Sequence, residues 1–157
     1  MKILLIQIEK TTESYLMEGS KIYLDRLKNY ISLNTETIII PKNIRQKSFE
    51  IQRRAEAIEI EKLLDPSDYV ICLDEHGQHF RSIEFAEFLN KRMVASCKRL
   101  VFIIGGPFGI DKSIIDKSAQ IMSLSKMTFS HQMIRLFFYE QLYRGFSILK
   151  NEKYHHE

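Results

Sequence analysis

Short apolar runs alternate with longer amphipathic segments along the chain, and this alternation restricts the fold more than any other feature. An uninterrupted apolar run such as residues 3–8 is typical of a strand buried on both faces of a sheet. Such runs predict strands at residues 3–8, 37–40, 69–73, 100–104 and 121–124. Helical spacing of apolar residues predicts helices at 12–30, 48–64, 82–95 and 130–149, with a short helix after Asp111. This order predicts an α/β fold with a mostly parallel sheet and helices on both faces.

Length and composition indicate one domain, residues 1–157, that is large enough to bury a core. The net charge of +3 permits an acidic partner such as RNA but does not require one. Cys72 and Cys97 match no metal or redox spacing, so we expect a reducing compartment. The apolar stretch at the start of the sequence is too short for a signal peptide or a membrane span. We therefore expect a cytoplasmic protein with no membrane partner.

The stretch VFIIGGPFGIDKS contains three glycines at or after the end of the strand predicted at residues 100–104. It matches neither a phosphate-binding P-loop nor the dinucleotide fingerprint, and Pro107 removes one backbone donor. Two interpretations remain open. The glycines form a tight turn that needs positive φ angles, or they let the backbone approach a ligand that carries no phosphate. Asp74, which follows the third predicted strand, is better explained as a turn-capping residue than as a phosphate acceptor.

Four stretches carry a resemblance to a known family: residues 72–77, 103–109, 123–135 and 141–157. They include LDEHG, IIGGPFG and most of the C-terminal run SLSKMTFSHQMIRLFFYEQLYRGFSILKNEKYHHE. Together they closely resemble the SPOUT-class methyltransferase family that methylates N3 of a pseudouridine in large-subunit ribosomal RNA. The resemblance implies a trefoil knot in the C-terminal part of the sheet, S-adenosylmethionine as the methyl donor, and no metal.

By the same resemblance, eight residues form the donor site. They are Leu73, Gly105, Leu124, Ser125, Lys126, Met127, Thr128 and Phe129. The apolar side chains among them can hold a flat adenine ring while backbone groups hydrogen-bond to its edge. Core packing is the alternative role of each apolar residue. The bare backbone at Gly105 would let the main chain approach the donor.

For the acceptor side, the resemblance implies five catalytic residues: His131, Arg144, Tyr154, His155 and His156. His131 begins the last predicted helix, where the helix dipole favours a neutral imidazole, and its second interpretation is a helix-start residue beside a Ser130 cap. Arg135 and Arg144 are nine residues apart, so they face opposite sides of a helix and cannot serve one site in one subunit. The alternative for Arg144 is an ion pair with Glu140, four residues earlier.

The sequence departs from the family at two positions. His156 stands where the family has arginine, which puts a fixed positive charge there in doubt, and Ser130 stands where the family tends to have proline. The implied partner is large-subunit ribosomal RNA within assembled ribosomes, and the implied oligomer is a homodimer that forms each site from two subunits. Two alternatives stay open: a SPOUT methyltransferase for another RNA, and a ribosome-binding protein of this fold without enzymatic activity.

Overall fold

The computed structural model describes residues 1–155 and confirms the predicted α/β architecture. The strands are β1 Lys2–Ile8, β2 Ser32–Ile38, β3 Tyr69–His79, β4 Arg99–Ile104 and β5 Gln120–Ser123. All of their pairings are parallel, and the order across the sheet is β2-β1-β4-β3-β5. The helices are α1 Ser14–Leu27, α2 Lys42–Arg45, α3 Phe49–Leu63, α4 Ser82–Val94, α5 Lys112–Ile115 and α6 Met133–Leu149.

Helices cover both faces of the sheet, as the sequence predicts. Successive side chains of a strand point to opposite faces, and β1 divides its apolar residues accordingly. Ile3 and Leu5 belong to the core that includes residues of α1, α4 and α6. Leu4 and Ile6 belong to a second core, which includes residues of α3 and α5.

The predicted bounds of β2 are wrong, because this strand covers Ser32–Ile38 and not residues 37–40. It lies at one edge of the sheet and pairs with β1. An edge strand with one solvent-facing side needs no uninterrupted apolar run. Its sequence, SLNTETI, therefore shows the β-branched signal only near its end.

The strand β3 is also longer than predicted. Residues 74–79 continue the strand instead of forming a loop, and its register with β5 shifts between Leu73 and Gln78. Gly77 lies in this irregular part, where an added Cβ would stand 2.7 Å from backbone atoms of Ile121 and Met122. The two backbones are thus in direct contact. This contact fits the knotted threading that the family resemblance implies, and the threading itself stays a prediction.

The predictions for α3, α4 and the short helix α5 agree with the structure to within one residue where bounds were predicted. The first and last helices are shorter than predicted, and α2 was not predicted. The last helix, α6, begins at Met133 rather than at residue 130. The Ser130 hydroxyl accepts a hydrogen bond from the Met133 N–H at 3.2 Å, so Ser130 acts as a cap for the first turn.

Candidate active site

A cleft of about 470 Å³ opens at the carboxyl ends of β4 and β5, beside residues 73–75 in the middle of β3. Ligands of parallel sheets bind at this edge, and the volume lies in the range of small-molecule sites. One wall consists of residues 73–75 of β3 and the loop after β4. The other wall consists of the end of β5 and most of the chain that leads into α6.

The cleft brings together seven of the eight residues that the sequence assigns to donor binding. They are Leu73, Gly105, Leu124, Ser125, Met127, Thr128 and Phe129. Lys126 is the exception, since it is exposed and does not line the cleft. The geometry places these side chains around one space, while their contact with a donor stays a prediction.

The loop after β5 is held by its own hydrogen bonds. The Ser123 hydroxyl donates to the Ser125 carbonyl oxygen at 2.7 Å, and the Ser125 hydroxyl accepts from the Met127 N–H at 2.9 Å. The Thr128 hydroxyl donates to the carboxylate of Glu75, which lies on β3 across the cleft. The Met127 side chain remains 73% exposed, so it is available to a ligand.

The glycine loop closes on itself. An added Cβ at Gly105 would stand 2.8 Å from the Ile110 side chain and 2.9 Å from the Gly109 backbone. Gly109 has a φ of +80°, and its N–H donates to the Gly106 carbonyl oxygen at 3.1 Å. The tight-turn interpretation is therefore sufficient to explain these glycines. Gly105 also lines the cleft, so its backbone faces the space that a ligand would occupy under the second interpretation.

His131 lines the same cleft, in the turn that precedes α6. Burial, and after it the positive charge of Arg135, lowers the pKa of His131 below the ordinary histidine value. The imidazole is therefore neutral near pH 7. The sequence led us to expect a neutral imidazole because of the helix dipole, but the structure assigns the effect to burial and to Arg135.

Arg144, Tyr154 and His155 form a second group, which we call the acceptor cluster. The Arg144 Nη2 lies 2.5 Å from Glu140 Oε1, and the Tyr154 hydroxyl donates to the same oxygen at 3.0 Å. The guanidinium stacks over the Tyr154 ring at 4.7 Å from its centroid, and its Nη1 lies 3.4 Å from His155 Nδ1. Arg144 does form the ion pair with Glu140 that the alternative interpretation predicts. The pair is half-buried and belongs to a network of hydrogen bonds and ring contacts, unlike an isolated pair on the surface. His156 lies outside the described residues.

The structure does not bring the acceptor cluster to the cleft of its own subunit. None of its three described residues lines the cleft, whereas Ile134, at the start of α6, does. Arg144 follows Ile134 by ten residues on the same helix, which corresponds to about 15 Å along the helix axis. One subunit therefore separates the acceptor cluster from the predicted donor residues, whereas His131 lies among them.

A comparison with protein-family models matches residues 1–155 to the family described as "Predicted SPOUT methyltransferase". The chain belongs to the SPOUT methyltransferase family. It is similar over all 157 residues, and over the full length of each relative, to proteins called "Ribosomal RNA large subunit methyltransferase H". The relative from Phocaeicola vulgatus is 48% identical, and the relative from Parabacteroides distasonis is 47% identical.

Solved structures support the SPOUT fold. A probable methyltransferase from Bordetella pertussis has a TM-score of 0.57 at 11% identity, with 92% of this chain and 96% of that chain covered. A probable methylase family protein from Haemophilus influenzae has a TM-score of 0.56 at 15% identity, with 99% of this chain and 70% of that chain covered. At such low identities the likeness concerns the fold alone.

Arg135 of this SPOUT protein binds groups within its own subunit. Its side chain is fully buried, Nη2 donates to the Ile8 carbonyl oxygen, and Nη1 donates to the Thr11 hydroxyl at 2.9 Å. Arg135 thus ties α6 to the end of β1. Arg135 and Arg144 do face different surroundings. Because Arg135 binds groups of its own subunit, Arg144 is the arginine of this pair that remains for a site shared with another subunit.

Glu56 is a residue near the site that the sequence reasoning missed. It lies on α3, is 5% exposed, and accepts a hydrogen bond from the Gly106 backbone behind the cleft wall. An added Cβ at Gly106 would stand 2.8 Å from Glu56 Oε1. Burial raises the pKa of Glu56 to about 7, so its carboxyl group is about half protonated near pH 7. Its position four residues before Ile60 on an amphipathic helix was the available signal.

Within residues 1–155, no group of three metal-ligating side chains is close enough to hold a metal ion. In the same part of the SPOUT chain, each helix is too short or too polar to cross a bilayer.

Proposed function

We propose that this protein transfers a methyl group from S-adenosylmethionine to N3 of a pseudouridine in large-subunit ribosomal RNA. One observation carries the proposal. Seven donor-site residues converge on one cleft in a chain that is 48% identical, over its full length, to a ribosomal RNA large subunit methyltransferase H. A ribosome-binding protein without enzymatic activity would need no such cleft.

The residues of the cleft fit this donor chemically. Leu73, Leu124 and Phe129 provide apolar surface for an adenine ring. Asp74 and Glu75 also line the cleft and offer negative charge to the sulfonium and ammonium groups of the donor. The proposed reaction needs no metal, since a sulfonium methyl group is transferred without a Lewis acid.

When bound, the donor supplies an electrophilic methyl group, and three tasks remain for the protein. It must hold the methyl group in line with N3, accept the N3 proton and stabilise negative charge on the uracil oxygens. His131 lines the cleft and is neutral near pH 7, which supports it as the proton acceptor. His155 is the second candidate for this task.

Arg144 is suited to the third task. Glu140 occupies its Nε and Nη2, while Nη1 faces His155 at 3.4 Å and keeps donors for a ligand. The Tyr154 hydroxyl donates to Glu140, and the Tyr154 ring lies against the guanidinium. Tyr154 therefore positions Arg144, and Arg144 supplies the charge that stabilises the developing anion.

We further propose that the active form is a homodimer in which the acceptor cluster of one subunit completes the cleft of the other. The separation of about 15 Å along α6 supports this arrangement, because one subunit cannot bring both parts together. Phe129 and Phe137 support it too. Their rings pack at 4.7 Å beside the cleft and remain 38% and 39% exposed, so a second subunit would cover them.

The test combines two assays of the wild-type protein. Calorimetry with S-adenosylmethionine should show binding, and ATP, which shares the adenine but lacks the methionine, should bind far less. Assembled ribosomes from cells that lack this activity should then gain one methylated pseudouridine in the large-subunit RNA, identified by mass spectrometry of RNA digests. Donor binding without methyl transfer to these ribosomes would favour another RNA substrate, and no donor binding would contradict the proposal.

A further inference from the structure

Two segments of the chain have a marked excess of positive charge. Residues 41–54 carry five basic residues and one acidic residue, a net charge of +4, and residues 91–99 carry four basic residues and no acidic residue. The second segment lies at the end of α4 and the start of β4, at the amino ends of the strands and away from the cleft, so the first segment is the one of interest here. The five basic residues lie on α2 and the first half of α3, at Lys42, Arg45, Lys47, Arg53 and Arg54.

This charge is poorly neutralised by the protein itself. Arg45 and Arg54 approach carboxylates only at 3.7 and 3.8 Å. Within residues 1–155, Lys42, Lys47 and Arg53 have no carboxylate within 4.0 Å. Two exposed lysines beside the second half of α3, Lys62 and Lys117, instead lie 2.6 Å from a carboxylate oxygen.

Two exposed aromatic rings lie within the same surface. Phe49, at the start of α3, is 51% exposed, and Phe108, in the loop after β4, is 47% exposed. Their ring centroids are 6.0 Å apart, and the Arg53 guanidinium lies 5.7 Å from the Phe49 centroid. Aromatic and guanidinium planes are the groups on which unpaired bases stack.

The surface adjoins the cleft. Phe108 belongs to the loop that forms one cleft wall, and Arg54 contacts Asp111 at the end of that loop. Arg45 contacts Glu9, directly after β1, so α2 lies at the same edge of the sheet. A strand that places a base in the cleft therefore passes close to this surface.

From these observations we propose that α2, the first half of α3 and Phe108 form the surface that binds single-stranded RNA beside the acceptor nucleotide. The basic side chains contact phosphates, and the two aromatic rings stack a neighbouring unpaired base. RNA fits better than a protein partner because the surface combines unneutralised charge with exposed rings. The inference rests on the proposed function, since it names the surface through which the same site receives its substrate.

The first test removes charge. The test variant carries Lys42→Gln, Arg45→Gln and Lys47→Gln. The control variant carries Lys2→Gln, Lys91→Gln and Lys98→Gln, which replace three exposed lysines near the amino ends of the strands. Affinity for large ribosomal subunits is measured against salt concentration. The slope of log affinity against log salt is negative, and loss of three phosphate contacts should make it shallower by about two. Binding at 0.15 M salt should weaken on the order of 50-fold. The control should bind like the wild type.

The second test separates stacking from packing. Phe49→Leu with Phe108→Leu should raise KM for assembled ribosomes about tenfold, and Phe49→Tyr with Phe108→Tyr should restore it, because tyrosine also stacks. In both tests, affinity for S-adenosylmethionine should equal that of the wild type.

Three results would overturn the inference: a wild-type salt slope in the charge variant, equal KM values in the leucine and tyrosine variants, or weakened binding to intact subunits with unchanged binding to protein-free ribosomal RNA. The last result would assign the surface to a ribosomal protein. Failure of the wild type to bind the donor would instead contradict the proposed function.

Discussion

Gly77 offers the most direct test of how the fold builds the cleft. In Gly77→Ala, the new Cβ would lie 2.7 Å from the carbonyl carbons of Ile121 and Met122 and from the Met122 nitrogen. Ordinary contact begins at about 3.4 Å, so the two chain segments must separate by about 0.7 Å. Backbone atoms within a sheet cannot rotate away as a flexible side chain does. We therefore expect a loss of about 3 kcal/mol in the free energy of unfolding, at the upper end of the usual cost of overpacking.

Urea unfolding of the variant and of two control glycine variants measures this loss. Gly19→Ala faces only the flexible Leu136 side chain at 3.1 Å and replaces glycine within α1, so it should be neutral or slightly stabilising. Gly109→Ala meets nothing within 4 Å but has a φ of +80°, so it should cost about 1 to 2 kcal/mol.

The same change should also weaken donor binding, because β5 leads into Ser123 and Leu124, which line the cleft. The reasoning fails if Gly77→Ala unfolds with the same free energy as Gly19→Ala. It also fails in its functional part if a folded Gly77→Ala protein binds S-adenosylmethionine with wild-type affinity.

Three further predictions concern charge, assembly and the tail. Burial raises the pKa of Glu56 to about 7, so the contribution of Glu56 to stability should fall by about 3 kcal/mol as the pH rises from about 4.5 through 7, and the difference in urea-unfolding free energy between the wild type and Glu56→Gln should follow this fall. A mixture of the cleft-filling variant Thr128→Trp with Arg144→Gln, each inactive alone, should recover about a quarter of the wild-type methyl transfer after subunit exchange; no recovery would contradict a site shared between subunits. Deletion of residues 154–157 should preserve donor binding by calorimetry and abolish methyl transfer, and full activity of the deletion would make the tail a spectator.

The sequence predicts β1, β4 and β5 to within one residue, and it misses most of β2 and the second half of β3. β1 and β4 are buried on both faces, so their apolar runs are continuous and their bounds are nearly correct. β2 has polar residues through most of its length because it lies at an edge, and its pattern is not distinguishable from a loop. The second half of β3 is held by pairing with β5, a partner more than forty residues away in sequence. No local pattern reports such a pairing.

The site shows the same division. Eight residues were predicted for donor binding through the family resemblance, and the fold brings seven of them together in one cleft. The sequence could not show that Arg135 is buried and hydrogen-bonded inside its own subunit, since a buried arginine and an exposed one look alike in a helical pattern. It could not show the burial of Glu56 directly either, because a glutamate on a charged helix is usually solvated.

The structure also changes how the C-terminal segment is understood. A tail rich in polar residues is usually mobile, but here its described part packs on α1 and α6. The Tyr154 ring lies 4.7 Å from the Tyr143 ring, its hydroxyl is 3.3 Å from that of Tyr23, and the Tyr30 hydroxyl donates to Glu152 at 2.5 Å.

These contacts fix the place of Arg144 on the folded body of its subunit. The acceptor cluster therefore cannot swing along α6 to the cleft of the same chain without breaking them. If Arg144 acts on the substrate, the RNA or a second subunit must come to it. Since the cleft and the cluster lie about 15 Å apart along one helix, a second subunit that presents its own Arg144 to the cleft is the simplest arrangement in which both parts meet one nucleotide.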